Sequence, residues 1–162
     1  MGQCYTQCIH CASDHVETYR LRKTSARTPP LTFNRQRKLC KVVDVYDGDT
    51  IKVVFLVHRR PYLWKVRLAG IDTPELRTSC EQEKAHGYIV RDALRERILD
   101  QVIVLQCGGF DKYGRLLGTP YHRGVNLCDW MVQRKFAVPY DGGTKKPWKD
   151  ILANRKSHAT QG

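Results

Sequence analysis

The chain has 162 residues, of which 41% are hydrophobic. It carries a formal net charge of +12 at pH 7 and has a pI near 9.6. This length suits one folded domain with extensions. The longest apolar run, Val53 to Val57, is far too short to cross a bilayer, and the first residues lack the apolar region of a secretory signal. The charge favours a polyanionic partner such as nucleic acid or an acidic membrane surface.

The basic residues are concentrated at the two ends. Residues 1–40 carry seven Lys/Arg against two acids, and residues 144–162 carry five against one. The residues between them hold sixteen against thirteen. We therefore predict a folded domain over residues 39–148. A basic, cysteine-containing extension precedes it at 1–38, and a basic tail follows at 149–162.

The N-terminal extension contains an acylation pattern. "MGQCYT" fits the motif for myristoylation at Gly2, with Cys4 where palmitate is often added. Seven cysteines without an export signal favour a reduced, intracellular protein, and two acyl groups would attach it to a membrane. Labelled myristate should enter the wild type and not Gly2→Ala; absence of label in a competent cell would end the idea. A rival interpretation is a small zinc clip made by Cys4, Cys8, Cys11 and His15.

The extension also holds one candidate helix. Asp14, with Glu17 three residues later, predicts a helix start, and the helix would run to about Lys23. "TSARTPP" then ends it, because paired prolines cannot continue a helix.

Strand patterns begin at Cys40. "LCKVVDVY", "TIKVVFLV" and "YLWKVRLAGI" are rich in β-branched and aromatic residues, and turns at "DG" and "HRRP" separate them. They predict three sequential antiparallel strands. Two further strands, "QVIVLQC" and "RLLGTPYH", follow after a helix.

Two helices complete the predicted elements, with a third possible after Pro147. The first, "CEQEKAHGYIVRDALRERILD", has apolar positions at 85, 89, 93, 94 and 98 on one face. The second, "VNLCDWMVQRKF", starts at Asn126 or at the preceding Gly-Val. The order predicts a mixed α+β fold: an OB-type, five-stranded antiparallel β-barrel with two or three packed helices. Fold alone does not give function.

Several polar residues are unusual for the elements that hold them. Asp49 opens the second strand, Arg67 lies inside the third, Asp72-Thr73-Pro74-Glu75 follows it, and Arg115 begins the last. Two carboxylates and a nearby carbonyl form an all-oxygen site suited to Ca²⁺. Glu75 could direct or deprotonate the attacking water. Two arginines can neutralise charge on a phosphoryl group, so the set suffices for phosphodiester hydrolysis.

Ordinary structural explanations exist for some of these residues. Asp47 and Gly48 are typical of a tight hairpin turn, and we accept that explanation for both. Asp72 could cap a turn or helix, Arg67 could pair with an acid such as Glu75, and Lys112 could belong to a plain basic turn.

Three segments in order identify a resemblance. "DGDT" at 47–50, "RLAGIDTPE" at 67–75 and "DKYGR" at 111–115 resemble the signature segments of the staphylococcal nuclease (thermonuclease) family. The similarity extends through "VNLCDWMVQRKFAVPY" and covers residues 40–148. It implies a calcium-dependent endonuclease that cleaves single- or double-stranded DNA and RNA with low sequence preference, leaving 3′-phosphates.

The resemblance also implies roles for individual residues. Asp49 and Asp72 match the family's carboxylate metal ligands, and Thr73 matches the residue that offers a backbone carbonyl. Glu75 matches the general base, and Arg67 and Arg115 match the phosphate-binding arginines. Lys112, Tyr113 and Tyr140 fall where the family contacts substrate.

Two rival functions use the same fold. One is an OB-fold module that binds nucleic acid without catalysis, and the other is a membrane-tethered adaptor. The intact acids oppose the binding module, because uncompensated carboxylates weaken phosphate binding. We expect a monomer.

Overall fold

The computed structural model describes residues 14–159, with side chains described as far as residue 155. The chain divides into two compact units, residues 1–31 and residues 32–162. In the first unit, helix α1 covers residues 14–21. This confirms the predicted short helix, which ends two residues earlier than expected.

The predicted acylation site lies outside the described residues. Gly2 and Cys4 belong to this part of the chain, as do Cys8 and Cys11 of the alternative zinc clip. Both ideas therefore stay predictions. Among the helices within residues 14–159, none is long and apolar enough to span a membrane.

The second unit is built on a five-stranded closed barrel. Its strands are β1 (Arg37–Val45), β2 (Thr50–Val57), β3 (Arg60–Leu68), β5 (Val102–Phe110) and β6 (Leu116–His122). They lie in the order β3-β2-β1-β5-β6, and a parallel pairing of β6 with β3 closes the barrel. The remaining neighbours are antiparallel. The predicted mixed α+β, OB-type barrel is confirmed.

Three two-residue strands were not predicted as separate elements: β4 (Ile71–Asp72), β7 (Val125–Asn126) and β8 (Val138–Pro139). The sequence pattern placed Ile71 at the end of the third strand. Gly70 interrupts that strand with a φ of +77°, a conformation that favours glycine. Beyond the break, Asp72 pairs with Val138, so β4 and β8 form a small second sheet beside the barrel.

Three helices follow the barrel strands: α2 (Glu81–Ile98), α3 (Leu127–Gln133) and α4 (Trp148–Ala159). Asn126 caps α3 by accepting hydrogen bonds from the backbone N–H groups of Cys128 and Asp129, which confirms one of the two predicted starts. The helix ends at Gln133, three residues before the predicted end. The segment predicted as a basic tail is mostly helix α4, and Trp148 at its start is buried.

The buried face of α2 agrees with the predicted one at Leu94 and Ile98 but differs in the first half of the helix. Its buried residues are Gly87, Val90, Leu94 and Ile98, whereas Ala85 and Ile89 are exposed. Gly87 explains the change, because a Cβ there would lie 2.9 Å from Leu76 Cδ2 and 3.1 Å from the Pro74 carbonyl oxygen. Close contact with the segment after β4 decides the orientation of the helix.

Four aromatic rings pack together in a group that we call the aromatic cluster: Phe33, Phe55, Trp64 and Phe110. The Phe33 ring lies 5.4 Å from Phe55 and 5.0 Å from Trp64 in edge-on contacts. The rings of Phe55 and Trp64 stack at 5.0 Å. Phe33 was assigned by sequence to the extension, yet it is buried in the core of the second unit.

Candidate active site

The turn between β1 and β2 is pressed against the rest of the site. Asp47 Oδ1 accepts a hydrogen bond from the backbone N–H of Asp49 at 3.0 Å. Gly48 is buried, and a Cβ added there would lie 2.7 Å from Val90 Cγ1 and 2.8 Å from Thr73 Oγ1. Because only glycine fits, Gly48 sets the spacing between the segment of Asp49 and that of Thr73. Gly48 therefore does more than form the hairpin turn that the sequence indicated, because it also packs against Val90 and Thr73.

Asp49 and Asp72 converge on one side chain. They are 5% and 2% exposed, and both face Arg67. Arg67 Nη1 contacts Asp49 Oδ2, and Nη2 lies 3.7 Å from Asp72 Oδ1. Nη2 also donates a hydrogen bond to the Ile71 carbonyl at 3.3 Å. The two predicted metal ligands are thus both ion-paired with the same guanidinium group.

Charge in this cluster shifts the pKa of its members. Burial, followed by the charge of Asp49, raises the pKa of Asp47 to about 6. Burial disfavours the charged form of Arg67 and by itself would lower its pKa. The nearby carboxylates, Asp49 first and then Asp72, outweigh burial and raise the pKa of Arg67. The acids repel one another and gain from any cation placed among them.

Glu75 lies at the rim of this cluster, with its side chain 56% exposed. Its Oε1 lies 2.9 Å from Lys145 Nζ, which is also 2.7 Å from Asp72 Oδ1. Burial disfavours the charged form of Lys145, but its interactions with the carboxylates of Asp72 and Glu75 outweigh burial and raise the pKa of Lys145. Sequence reasoning missed Lys145, because one lysine in a basic segment carries no distinguishing signal.

Trp148 approaches the other oxygen of the same carboxylate. Its Nε1–H donates a hydrogen bond to Asp72 Oδ2 at 3.0 Å, within the buried interior. The sequence analysis did not include Trp148 among the site residues. A tryptophan after a proline in a basic segment was the available signal, and it does not specify a partner.

Arg115 is held by an acid in its own turn. Asp111 Oδ2 accepts from Arg115 Nε at 2.7 Å, and Asp111 Oδ1 accepts from the backbone N–H of Arg115 at 2.9 Å. Arg115 Nη1 also donates to Thr50 Oγ1 at 3.5 Å, and Thr50 Oγ1 donates to Asp49 Oδ1 at 3.0 Å. Thr50 therefore links Arg115 to the carboxylate cluster, and Asp111, which was not among the predicted site residues, holds the Arg115 side chain.

The three residues predicted to contact substrate lie in two separate places. Lys112 and Tyr113 belong to the turn between β5 and β6, where Tyr113 is 72% exposed. Lys112 Nζ lies 5.1 Å from the centre of that ring, and the Arg115 guanidinium lies 5.5 Å from it. Tyr140 instead lines a cavity of about 970 Å³ together with Asp72 and Lys145.

The chemistry of the donors fits a hard cation. Asp72 Oδ1 is buried without a well-directed hydrogen bond, although Lys145 lies within ion-pair distance. In the part of the chain that the structure describes, no group of three or more His, Cys, Asp or Glu side chains is arranged to hold a metal ion. Two carboxylates, with the buried Thr73 beside them, leave the remaining ligands to carbonyl and water oxygens, as Ca²⁺ accepts.

The sequence of the chain matches a known protein family. The model of the family described as "Staphylococcal nuclease homologue" matches residues 65–161. The chain belongs to this family. The predicted resemblance is confirmed, and the matched region includes Arg67, Asp72, Glu75 and Arg115.

Individual relatives agree with the family. A Haemophilus influenzae protein named "Uncharacterized endonuclease" is 30% identical over 107 residues, which are 66% of this chain and 55% of that protein. An Escherichia coli O157:H7 protein of the same name is 28% identical over 123 residues, covering 75% and 74% of the two chains. Protein ParB of Escherichia coli is 39% identical over 111 residues, covering 62% of this chain and 56% of ParB. The family and the two relatives named as endonucleases support a nuclease.

Proposed function

We propose that this protein is a calcium-dependent endonuclease that hydrolyses phosphodiester bonds of DNA and RNA with low sequence preference. One observation carries the proposal: the Arg67 guanidinium is ion-paired with both Asp49 and Asp72, so a group able to bind phosphate lies beside two buried carboxylates. A divalent cation held by these carboxylates and the Thr73 carbonyl would neutralise the phosphate and favour attack by water.

The attacking water and its proton are assigned to Glu75. Its carboxylate is exposed to solvent at the rim and can accept a proton at Oε1 or Oε2 while it directs the water toward phosphorus. The water oxygen bonds to phosphorus, and the bond from phosphorus to the 5′ oxygen breaks. The products are a 3′-phosphate and a 5′-hydroxyl, whose oxygen takes up a proton from solvent water.

Two arginines are proposed to stabilise the charge that develops on the phosphoryl oxygens. Arg67 is oriented by its two carboxylate contacts and by the Ile71 carbonyl. Arg115 is oriented by Asp111 and Thr50. Because these contacts hold both guanidiniums, little reorganisation would be needed as charge develops. The net charge of +12 attracts the polyanionic substrate.

The test is a digestion series on plasmid DNA, single-stranded DNA and RNA, with Ca²⁺, Mg²⁺ or chelator. The wild type should cleave all three with Ca²⁺ and none with chelator. Glu75→Gln should lower turnover by about 10²–10⁴-fold, and Arg67→Lys by about 10²–10³-fold. Matched controls are Glu81→Gln and Arg37→Lys, exposed residues outside the cluster, which should retain activity.

Two outcomes favour the rival functions. Retention of nucleic acid on the wild type without cleavage at any metal concentration would indicate the binding module. Binding to acidic vesicles with no turnover would indicate the adaptor. Full activity in chelator would overturn the metal requirement while leaving the nuclease in place.

A further inference from the structure

We propose that Lys145 is a built-in competitor of the divalent ion, with its ammonium group bound to Asp72 and Glu75 when metal is absent and displaced when metal binds. This inference rests on the proposed function, since it takes Asp72 as a metal ligand. It adds a residue outside the predicted set that determines how tightly the site binds metal.

The contacts of Lys145 support this competition. Its Nζ lies 2.7 Å from Asp72 Oδ1 and 2.9 Å from Glu75 Oε1. The first oxygen belongs to a proposed metal ligand, and the second to the acid proposed to direct water. Asp72 Oδ1 lacks a well-directed hydrogen bond of its own. An ammonium group at this place neutralises the charge that a metal ion would otherwise neutralise.

The surroundings allow Lys145 to leave while the rest of the site stays in place. The chain around it is held by a hydrogen bond from the Tyr140 backbone N–H to the Gly70 carbonyl at 3.0 Å. Trp148 holds the other side through Asp72 Oδ2 at 3.0 Å. The Lys145 side chain itself is 42% exposed and borders the cavity of about 970 Å³. Only a side-chain rotation is needed to vacate the carboxylates.

Competition of this kind lowers the apparent affinity for metal. A site that is open in only a fraction of molecules binds more weakly in proportion to that fraction. The partly exposed ion pairs of Lys145 are screened by solvent, so the effect is limited. We expect removal of the ammonium group to tighten Ca²⁺ binding by about tenfold. The acids should then repel one another more strongly in the metal-free protein, which should unfold at a lower temperature.

The experiment uses the full chain as wild type, Lys145→Met and Lys146→Met. The Lys146 variant removes a neighbouring positive charge that also borders the cavity, so it corrects for the general effect of charge on affinity. Tb³⁺ binding is followed by luminescence excited through tryptophan, and Ca²⁺ affinity by displacement of Tb³⁺. Trp148 donates a hydrogen bond to Asp72. A weaker Tb³⁺ luminescence in Trp148→Phe would therefore locate the bound ion near Asp72. Thermal unfolding in chelator is measured in parallel.

The proposal predicts Ca²⁺ binding about tenfold tighter in Lys145→Met than in Lys146→Met, with a lower unfolding temperature in chelator. Equal or weaker affinity in Lys145→Met would overturn the role of Lys145 and leave the proposed function intact. If neither the wild type nor Lys145→Met binds Ca²⁺ below about 10 mM, both ideas are overturned. Lys145→Gln, which keeps a hydrogen-bond donor without the charge, replaces the methionine variant if that variant does not fold.

Discussion

The two halves of the β2–β3 hairpin differ in what their side chains do. At the open half, Thr50 pairs with Arg67, and the acids of the site surround them. Toward the turn, Phe55 and Trp64 contribute to the aromatic cluster. The two halves are three residues apart on β3 and five on β2, or roughly 10–16 Å along the strands. One pair of strands therefore supports both a charged site and an apolar core.

The two halves differ in whether neighbouring side chains stabilise one another. The rings of the aromatic cluster contact one another at 5.0–6.3 Å, and such contacts stabilise the fold. At the open half, burial and then the charge of Asp49 raise the pKa of Asp47 to about 6, so the charged form of that acid is disfavoured there. Groups arranged at some cost to stability are typical of functional sites. The apolar half therefore stabilises the barrel, and the charged half holds the acids that we propose as metal ligands.

The largest effect on stability is expected from Phe33→Ala. Phe33 is 3% exposed and contacts the rings of Phe55 and Trp64. Its removal should lower the free energy of unfolding by about 3–5 kcal/mol, measured by urea titration. Turnover per folded molecule should stay near that of the wild type. Leu39→Ala, at a position 70% exposed, is the control. A loss of turnover at temperatures where Phe33→Ala is folded would contradict the separation of the two halves.

An intermediate effect is expected from Gly48→Ala at the charged half. The new methyl group would meet Val90 Cγ1 at 2.7 Å and Thr73 Cβ at 2.9 Å. Overpacking of this kind costs about 1–3 kcal/mol, and the shift of Asp49 should weaken Ca²⁺ binding in the Tb³⁺ displacement assay. Gly109→Ala, where an added Cβ has no neighbour within 4 Å, should change neither quantity. Unchanged Ca²⁺ affinity in Gly48→Ala would show that the turn does not set the position of Asp49.

The smallest effect on stability is expected from Asp111→Asn. The amide retains one carbonyl oxygen for the turn but loses the oxygen that accepts from Arg115 Nε at 2.7 Å. Hydrogen bonds from Arg115 and Tyr113 outweigh burial and lower the pKa of Asp111, so the carboxylate is the form that this turn favours. Stability should fall by about 1 kcal/mol.

The informative readout for Asp111→Asn is enzyme kinetics. If Asp111 orients Arg115, kcat/KM of Asp111→Asn should fall about tenfold, in keeping with a lost charged hydrogen bond. The control Asp92→Asn should show a much smaller fall. Asp92 pairs with Arg91 at 2.8 Å on the exposed side of α2, so it offers a matched aspartate–arginine pair. Equal kinetics in both variants would place Asp111 outside the functional cluster.

Much of the fold could be predicted because its signals are local. Strand composition, turn residues and the Asn126 cap are properties of short segments, and the five barrel strands appear where these segments predict them. The three signature segments also placed Asp49, Arg67 and Asp72 together, and the structure brings them into contact. Their assigned roles as ligands and catalysts stay predictions.

Only the tertiary structure decided what surrounds the carboxylate of Asp72. Lys145 and Glu75 are 70 positions apart, and Trp148 and Asp72 are 76 apart. Contacts over such distances depend on how β4, β8 and α4 pack together, which no local pattern specifies. The same holds for the buried face of α2, which Gly87 determines through its close approach to Pro74 and Leu76. Local patterns are thus enough to locate the strands and the acids, whereas packing between distant segments sets which cations lie beside those acids.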